Sequence, residues 1–226
     1  MQEKVLTGSL ELDSLLDGGF LSNSMILLAG NPGTGKTILA AQFIYAGATK
    51  YGDRGVYVCF SEPKRDLIQR MQAFDMNFED LISSRMVSIL DLTYTTETDI
   101  QSAINQIFEE LVNTKARRLV IDSITALFVG LKSEIEKKFI LRLIYKVIQK
   151  SNSTTILTMD KPWSKRTVTE SIEEFASDGI ILLENLYNEK GVLERHLRIP
   201  KMRGTNHTRN THIYHINSKK GLEIKI

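Results

Sequence analysis

The segment Gly30–Thr37, with the sequence GNPGTGKT, constrains the fold of this 226-residue chain more than any other feature. It follows the short apolar run Met25–Ala29, which is typical of a buried strand. It precedes a stretch whose apolar residues recur at helical spacing from Ile38 to Ile44, which predicts a helix. A glycine-rich turn between a strand and a helix gathers main-chain N–H groups at the helix N-terminus, where they bind anions. We therefore expect an α/β fold built around a phosphate-binding loop.

The same segment matches the pattern G-x-x-x-x-G-K-[ST] at every fixed position. Its glycines allow the backbone to curl, Lys36 places a compact positive charge against the terminal phosphates, and Thr37 offers a hydroxyl to a magnesium ion. A glycine-rich turn that matches by chance is the alternative, but the strand before it and the helix after it favour ATP and Mg²⁺ as ligands. The residues predicted to contact the nucleotide are Asn31, Pro32, Gly33, Thr34, Gly35, Lys36, Thr37 and Ile38.

A second candidate site residue is Asp122, which ends the run Arg117–Asp122 after an apolar strand pattern. Ligands collect at the carboxyl ends of parallel strands, so a carboxylate there suits a magnesium site shared with Thr37. The alternative is an aspartate that caps the next helix. With the phosphate loop upstream, we favour the metal role.

The remaining pattern alternates apolar strands with amphipathic helices as far as Leu183. This alternation predicts a mainly parallel sheet with helices on both faces. From Val192 onward the segments 193–202 and 208–217 read as hairpin strands, which predicts an antiparallel C-terminal extension. Because no low-complexity linker or internal repeat interrupts the chain, we expect one domain over residues 1–226.

Composition excludes some functions and leaves others open. The net charge of +2 is too small to indicate bulk binding to nucleic acid or to an acidic membrane. The N-terminus lacks the layout of a signal peptide, and no uncharged apolar stretch approaches the ~20 residues that span a bilayer. We therefore expect no membrane partner and a cytoplasmic location.

The chain resembles the KaiC family within the RecA superfamily of P-loop ATPases, over nearly its whole length. The most specific segment is Lys201–His207, which is close to the K-x-R-G-T-x-H signature of that family. The other similar segments are Thr7–Leu16 with Gly18–Phe20, Gly30–Thr37, Val120–Leu127 and Ile172–Ile180.

The resemblance implies a homo-oligomer, in the family a hexameric ring, with ATP bound between subunits. It also implies that Lys201 and Arg203 reach the nucleotide of the neighbouring subunit and stabilise charge on its γ-phosphate, as an arginine finger does. From the residues alone, a solvated basic strand face is the simpler interpretation. The residues expected to take part in ATP hydrolysis are Lys36, Glu62, Asp122, Lys201 and Arg203.

One departure from the family concerns hydrolysis. KaiC relatives usually carry two glutamates after the second strand, the first matching the catalytic glutamate of RecA, whereas this chain has Ser61-Glu62. Adjacent strand residues face opposite ways, so Glu62 inherits the role only where the strand has already ended and turned. An ATP-binding regulatory module with little hydrolysis is therefore an alternative function. Circadian-clock members of the KaiC family have two such domains in tandem, whereas this chain has one. The sequence does not identify a protein partner.

A further alternative is ATP-dependent binding of single-stranded DNA, as in RecA relatives. The run Lys161–Arg166 combines basic residues with Trp163, a mixture that stacks bases and contacts phosphates. An ordinary loop with a packed tryptophan is the interpretation we favour, because net charge gives no support to DNA binding.

Overall fold

The computed structural model describes residues 3–96, 99–131, 133–161 and 176–225. The strands that these residues form are β1 Lys4–Val5, β2 Phe20–Leu21, β3 Met25–Gly30, β4 Gly55–Cys59, β5 Val87–Asp91, β6 Arg118–Asp122, β7 Thr154–Asp160, β8 Gly179–Tyr187, β9 Leu193–Met202, β10 His212–Asn217 and β11 Gly221–Ile224. The helices are α1 Leu10–Leu15, α2 Lys36–Lys50, α3 Lys64–Gln72, α4 Phe78–Ser83, α5 Ile100–Thr114, α6 Ile124–Phe128 and α7 Glu134–Ser151.

Nine of these strands form one sheet in the order β11-β10-β9-β8-β3-β7-β6-β4-β5. The six strands from β8 to β5 run parallel, and β9, β10 and β11 continue the sheet in antiparallel fashion. β3, β4 and β6 are buried along their whole length, which explains why they read as continuous apolar runs in the sequence. The predicted fold class is thus confirmed: a mainly parallel sheet with an antiparallel C-terminal extension.

Two apolar cores cover the faces of the sheet. On one face the buried residues of α1 to α4 pack against β3, β4 and the antiparallel strands. On the other face the buried residues of α5, α6 and α7 pack against the same central strands. The parallel strands are therefore enclosed on both sides, and their carboxyl ends form one edge at which loops can present functional side chains.

The structure adds elements that the sequence pattern did not reveal. β1 and β2 pair as a separate antiparallel ribbon before β3. α1 is capped by Ser9, whose side chain accepts a hydrogen bond from the main-chain N–H of Leu12. The last predicted strand starts later than expected, at His212, and β11 follows it as the outermost strand. None of the helices formed by the described residues combines the length and apolar character needed to span a bilayer.

Candidate functional site

The predicted phosphate loop joins the carboxyl end of β3 to the N-terminus of α2. Gly35 is the N-cap of α2 and has a left-handed backbone with φ of +91°, a conformation that glycine adopts at little cost. A Cβ at Gly30 would collide with the main-chain oxygen of Leu183 on β8, so only glycine permits this close approach of strands and loop. Pro32 and Gly33 are exposed, whereas Thr34 is fully buried. The loop therefore has one face fixed in the protein and one face open.

The side chain of Lys36 contacts the first residues of this loop and the last residue of β7. Its Nζ donates hydrogen bonds to the main-chain oxygens of Gly30 at 2.9 Å and Asn31 at 3.1 Å. The same Nζ is 2.9 Å from Oδ1 of Asp160, and only 9% of the lysine side chain is exposed. Asp160 ends β7 just as Asp122 ends β6, and this shared strand-then-carboxylate pattern is the signal by which sequence reasoning could have found it.

Asp122 is the acceptor of three side-chain hydroxyl groups. Thr37 Oγ1 donates to its Oδ2 at 2.8 Å, so the fold brings these two residues together. Tyr57 donates to the same oxygen at 2.7 Å, and Thr158 donates to Oδ1 at 2.5 Å. Burial, and secondarily the negative charge of Asp122, raises the pKa of Tyr57 well above its ordinary value, so this hydroxyl remains a donor. Sequence reasoning did not identify Tyr57 or Thr158.

The pair Thr37 and Asp122 suits a magnesium ion. A hydroxyl and a carboxylate 2.8 Å apart present hard oxygen ligands beside the phosphate loop. Since magnesium in nucleotide sites is held by one or two protein oxygens together with the phosphates, this donor set fits the ion that the sequence predicts.

Glu62 lies three residues past the end of β4, the strand next to β6. β4 ends at Cys59, and the chain has turned before Glu62, which removes the alternation argument against this residue. Its carboxylate forms an ion pair of 2.7 Å with Arg70 of α3. Desolvation raises the pKa of Glu62, Arg70 opposes that shift, and the charge of Asp122 adds to it. Ser61, where the family usually has a glutamate, instead places its Oγ 2.9 Å from Oγ of Ser123.

Lys201 and Arg203 lie at the opposite end of the parallel strands, beside the amino ends of β8 and β3. Met202, the residue between them, pairs with Gly179 at the start of β8, and Gly179 in turn is opposite Ile26 at the start of β3. The phosphate loop begins four residues further along β3, about 13 Å away at ~3.3 Å per strand residue. One chain therefore does not bring Lys201 and Arg203 to its own phosphate loop.

The surroundings of these two cations differ from those of Lys36. Lys201 Nζ donates to the main-chain oxygen of Ser177 at 2.6 Å. Arg203 lies just past the end of β9 and is 3.5 Å from Asp178, with 60% of its side chain exposed. The main-chain N–H of Arg203 also donates to the main-chain oxygen of Asp178 at 2.9 Å, which continues the register of β8 and β9 past Met202. Of the run Lys161–Arg166, residues 162–166, including Trp163, lie outside the described residues.

A parallel sheet whose central strand enters a lysine-bearing glycine loop at a helix N-terminus defines the P-loop class of nucleotide-binding proteins. Within that class, the family model described as "ATPase: KaiC" matches residues 5–226. The chain belongs to the KaiC family of ATPases.

Relatives and solved structures agree with this assignment. The circadian clock oscillator protein KaiC of Thermostichus vulcanus is 31% identical over 215 residues, which cover 91% of this chain and 41% of that protein. The KaiC of Synechococcus elongatus is 29% identical over 213 residues, with 90% and 41% covered. The chain thus spans about two fifths of the length of these curated relatives. The crystal structure of a KaiC-like protein from Pyrococcus horikoshii OT3 has 33% identity, a TM-score of 0.90 and complete coverage of both chains.

Proposed function

We propose that this chain binds MgATP at Gly30–Thr37 and hydrolyses it within a homo-oligomeric ring, as a nucleotide-driven switch. The observation that carries the proposal is the arrangement of Lys36, Thr37 and Asp122 at one edge of the sheet. The buried ammonium group of Lys36 contacts the main chain of the phosphate loop, and the next residue, Thr37, is hydrogen-bonded to the carboxylate of Asp122. The P-loop class uses this combination to hold a triphosphate and its metal.

Each of these residues has a distinct part in binding. Lys36 would exchange its contact with Asp160 for the terminal phosphates, because both partners are anions at the same position. Thr37 and Asp122 would hold magnesium, which supplies positive charge to the phosphate oxygens when bound. Tyr57 and Thr158 would fix the orientation of Asp122, as groups behind a metal ligand generally do.

Glu62 is the residue proposed to orient and deprotonate the attacking water. Its side chain is 16% exposed, and burial, with the charge of Asp122, raises its pKa, the direction in which a carboxylate becomes a stronger base. The positive charge of Arg70, 2.7 Å away, opposes that shift of the pKa. Hydrolysis therefore depends on a glutamate one position later than in most relatives.

The ring is proposed from the position of Lys201 and Arg203. Both residues lie far from the phosphate loop of their own chain. We therefore infer that the phosphates they contact are those bound by an adjacent copy. A contact in which the amino edge of one sheet meets the carboxyl edge of the next is head-to-tail, and such contacts close into rings when the rotation per subunit allows it. The protein partner that the switch controls is not identified by any of these features.

Measuring ATP affinity in the Lys36→Ala variant tests the proposal. We expect the wild type to bind MgATP in calorimetry and the variant to show no measurable binding, because the buried cation of the loop is gone. Lys50→Ala, which changes an exposed lysine at the far end of α2, is the matched control and should bind as the wild type does. Equal affinity in wild type and Lys36→Ala would contradict the proposal.

A binding module with very slow hydrolysis is the second candidate. The observation that favours it is the hydrogen bond between Ser61 and Ser123, which puts neutral hydroxyls where relatives usually place a carboxylate. Comparable turnover in the wild type and Glu62→Gln would support this second function.

A further inference from the structure

The C-terminal hairpin formed by β10 and β11 packs directly on the phosphate loop. Tyr214 of β10 is 1% exposed, and its hydroxyl donates a 2.5 Å hydrogen bond to the main-chain oxygen of Thr34. Ile216, two residues later on the same strand, lies close to Gly35: a Cβ built on Gly35 would be 2.9 Å from Cδ1 of Ile216. The main-chain N–H of Leu222 on β11 donates to Oε1 of Gln42 on α2 at 3.1 Å. The hairpin is therefore attached to both the loop and the helix that follows it.

The hydrogen bond from Tyr214 fixes the orientation of one peptide unit in the loop. Thr34 O and Gly35 N–H belong to the same peptide plane, and the Thr34–Gly35 bond is trans. In a trans peptide the C=O and N–H bonds point in opposite directions. Because the oxygen is held toward the hairpin, the Gly35 N–H is directed away from the hairpin.

The flexibility of Gly35 gives this peptide a need for an external anchor. Gly35 has no Cβ and a positive φ, so its backbone has more alternative conformations than other residues have. Burial raises the pKa of Tyr214, so the hydroxyl keeps its proton and its role as a donor. Thr34 is itself fully buried, and its own hydroxyl donates to the main-chain oxygen of Asn31 at 2.7 Å.

We propose that Tyr214 is a positioning residue for phosphate binding, which holds the Thr34–Gly35 peptide so that the Gly35 N–H faces the polyphosphate. This inference rests on the proposed function, because it assumes that Gly30–Thr37 binds the phosphates of a nucleotide. It assigns the C-terminal hairpin a part in the nucleotide site of its own chain. That part is separate from the role proposed for Lys201 and Arg203 in a neighbouring chain.

The test is the Tyr214→Phe variant, which removes the hydroxyl and keeps the ring in the core. We measure the dissociation constants of MgATP and of magnesium tripolyphosphate, which has the phosphates but no base, well below the unfolding temperature of each protein. We expect both constants to rise about fivefold to tenfold, with kcat at saturating ATP nearly unchanged. Tyr45→Phe removes a hydroxyl from the middle of α2 and is the matched control, for which we expect both constants to stay at their wild-type values.

The outcomes separate this inference from the proposed function. Unchanged constants in Tyr214→Phe, with a wild type that binds both ligands, would overturn the positioning role alone. A loss confined to MgATP would also overturn it, since the effect would then concern the base and not the phosphates. A wild type that binds neither ligand would overturn the proposed function and this inference together. If Tyr214→Phe is less stable, an equal loss for both ligands in the folded variant still supports the positioning role.

Discussion

The two edges of the central sheet present their cations in contrasting ways. At the carboxyl edge, the side chain of Lys36 is 9% exposed and makes three contacts with oxygen atoms of its own chain. At the amino edge, the side chain of Arg203 is 60% exposed and has a 3.5 Å ion pair with Asp178. A cation held in place by its own chain has lost its rotamer freedom during folding, whereas an exposed arginine loses it on meeting a partner. Under the proposed function, folding orders Lys36 at the carboxyl edge, whereas contact with an adjacent chain would order Arg203 at the amino edge.

The largest expected effect tests whether Arg203 acts on nucleotide bound by an adjacent chain. Arg203→Ala should leave MgATP affinity within about twofold of wild type and lower kcat by about 1,000-fold, the low end of the effect of an arginine finger. Mixing Arg203→Ala with Lys36→Ala should restore part of the turnover, because the second variant supplies Arg203 to nucleotide bound by the first. Steady-state ATPase assays on the separate and mixed proteins measure this.

Arg209→Ala, which changes an exposed arginine of the same segment, is the control for that experiment. Recovery of activity on mixing would sharpen the contrast between the two edges. No recovery, together with a large loss of ATP affinity in Arg203→Ala, would contradict it, because Arg203 would then act within its own chain.

The next largest effect tests Asp122, at the carboxyl edge of the sheet. Asp122→Asn should lower magnesium-dependent turnover by a few hundredfold, as expected when a charge that stabilises the reacting phosphates through the metal is removed. Titration of activity with magnesium should show that the variant needs more metal. Asp91→Asn, at the end of β5, two strands away from β6, is the control and should keep the wild-type magnesium requirement.

Replacement of the proposed base should have a smaller effect. Glu62→Gln keeps the shape of the side chain and removes its basicity, so kcat should fall by about 100-fold while ATP affinity is retained. Single-turnover measurements of phosphate release would show this loss at the chemical step. Turnover equal to that of the wild type would instead indicate the binding module with slow hydrolysis.

The smallest effect concerns the carboxylate that contacts Lys36. Asp160 is 48% exposed, and Asp160→Asn removes an anion that competes with the phosphates for the same ammonium group. We expect the dissociation constant of MgATP to fall by about twofold to fivefold, in the range of a partly exposed charge pair. The gain should shrink at high salt, where such interactions are screened. Weaker binding in Asp160→Asn would mean that the aspartate positions the lysine instead of competing for it.

The sequence predicted the contiguous parts of the site well. The phosphate loop, its strand and its helix lie where the pattern placed them, because a buried strand, a glycine turn and an amphipathic helix are each encoded by adjacent residues. The sequence also predicted Asp122, since an apolar run that ends in a carboxylate reveals the edge at which it lies. The contacts of the loop residues with ATP, the magnesium role of Thr37 and Asp122, the trans contacts of Lys201 and Arg203 and the role of Glu62 remain predictions.

Other features depended on which distant segments the fold brings together. Tyr57 and Thr158 contact Asp122 only because β6 lies between β4 and β7, an order that no local pattern encodes. Whether Glu62 could face the site depended on where β4 ends, and a strand boundary is set by its pairing partners as much as by its own residues.

The amino-acid sequence by itself determined that this chain has a phosphate-binding loop in a parallel α/β domain, since period, spacing and residue type are properties of neighbouring positions. Only the tertiary structure decided that Asp160 contacts Lys36, and that a tyrosine 180 positions away anchors Thr34. It also decided that the two cations of the family signature lie far from the loop of their own chain. The physical reason is that sheet order and strand direction arise from the burial of whole faces, which no short segment specifies alone.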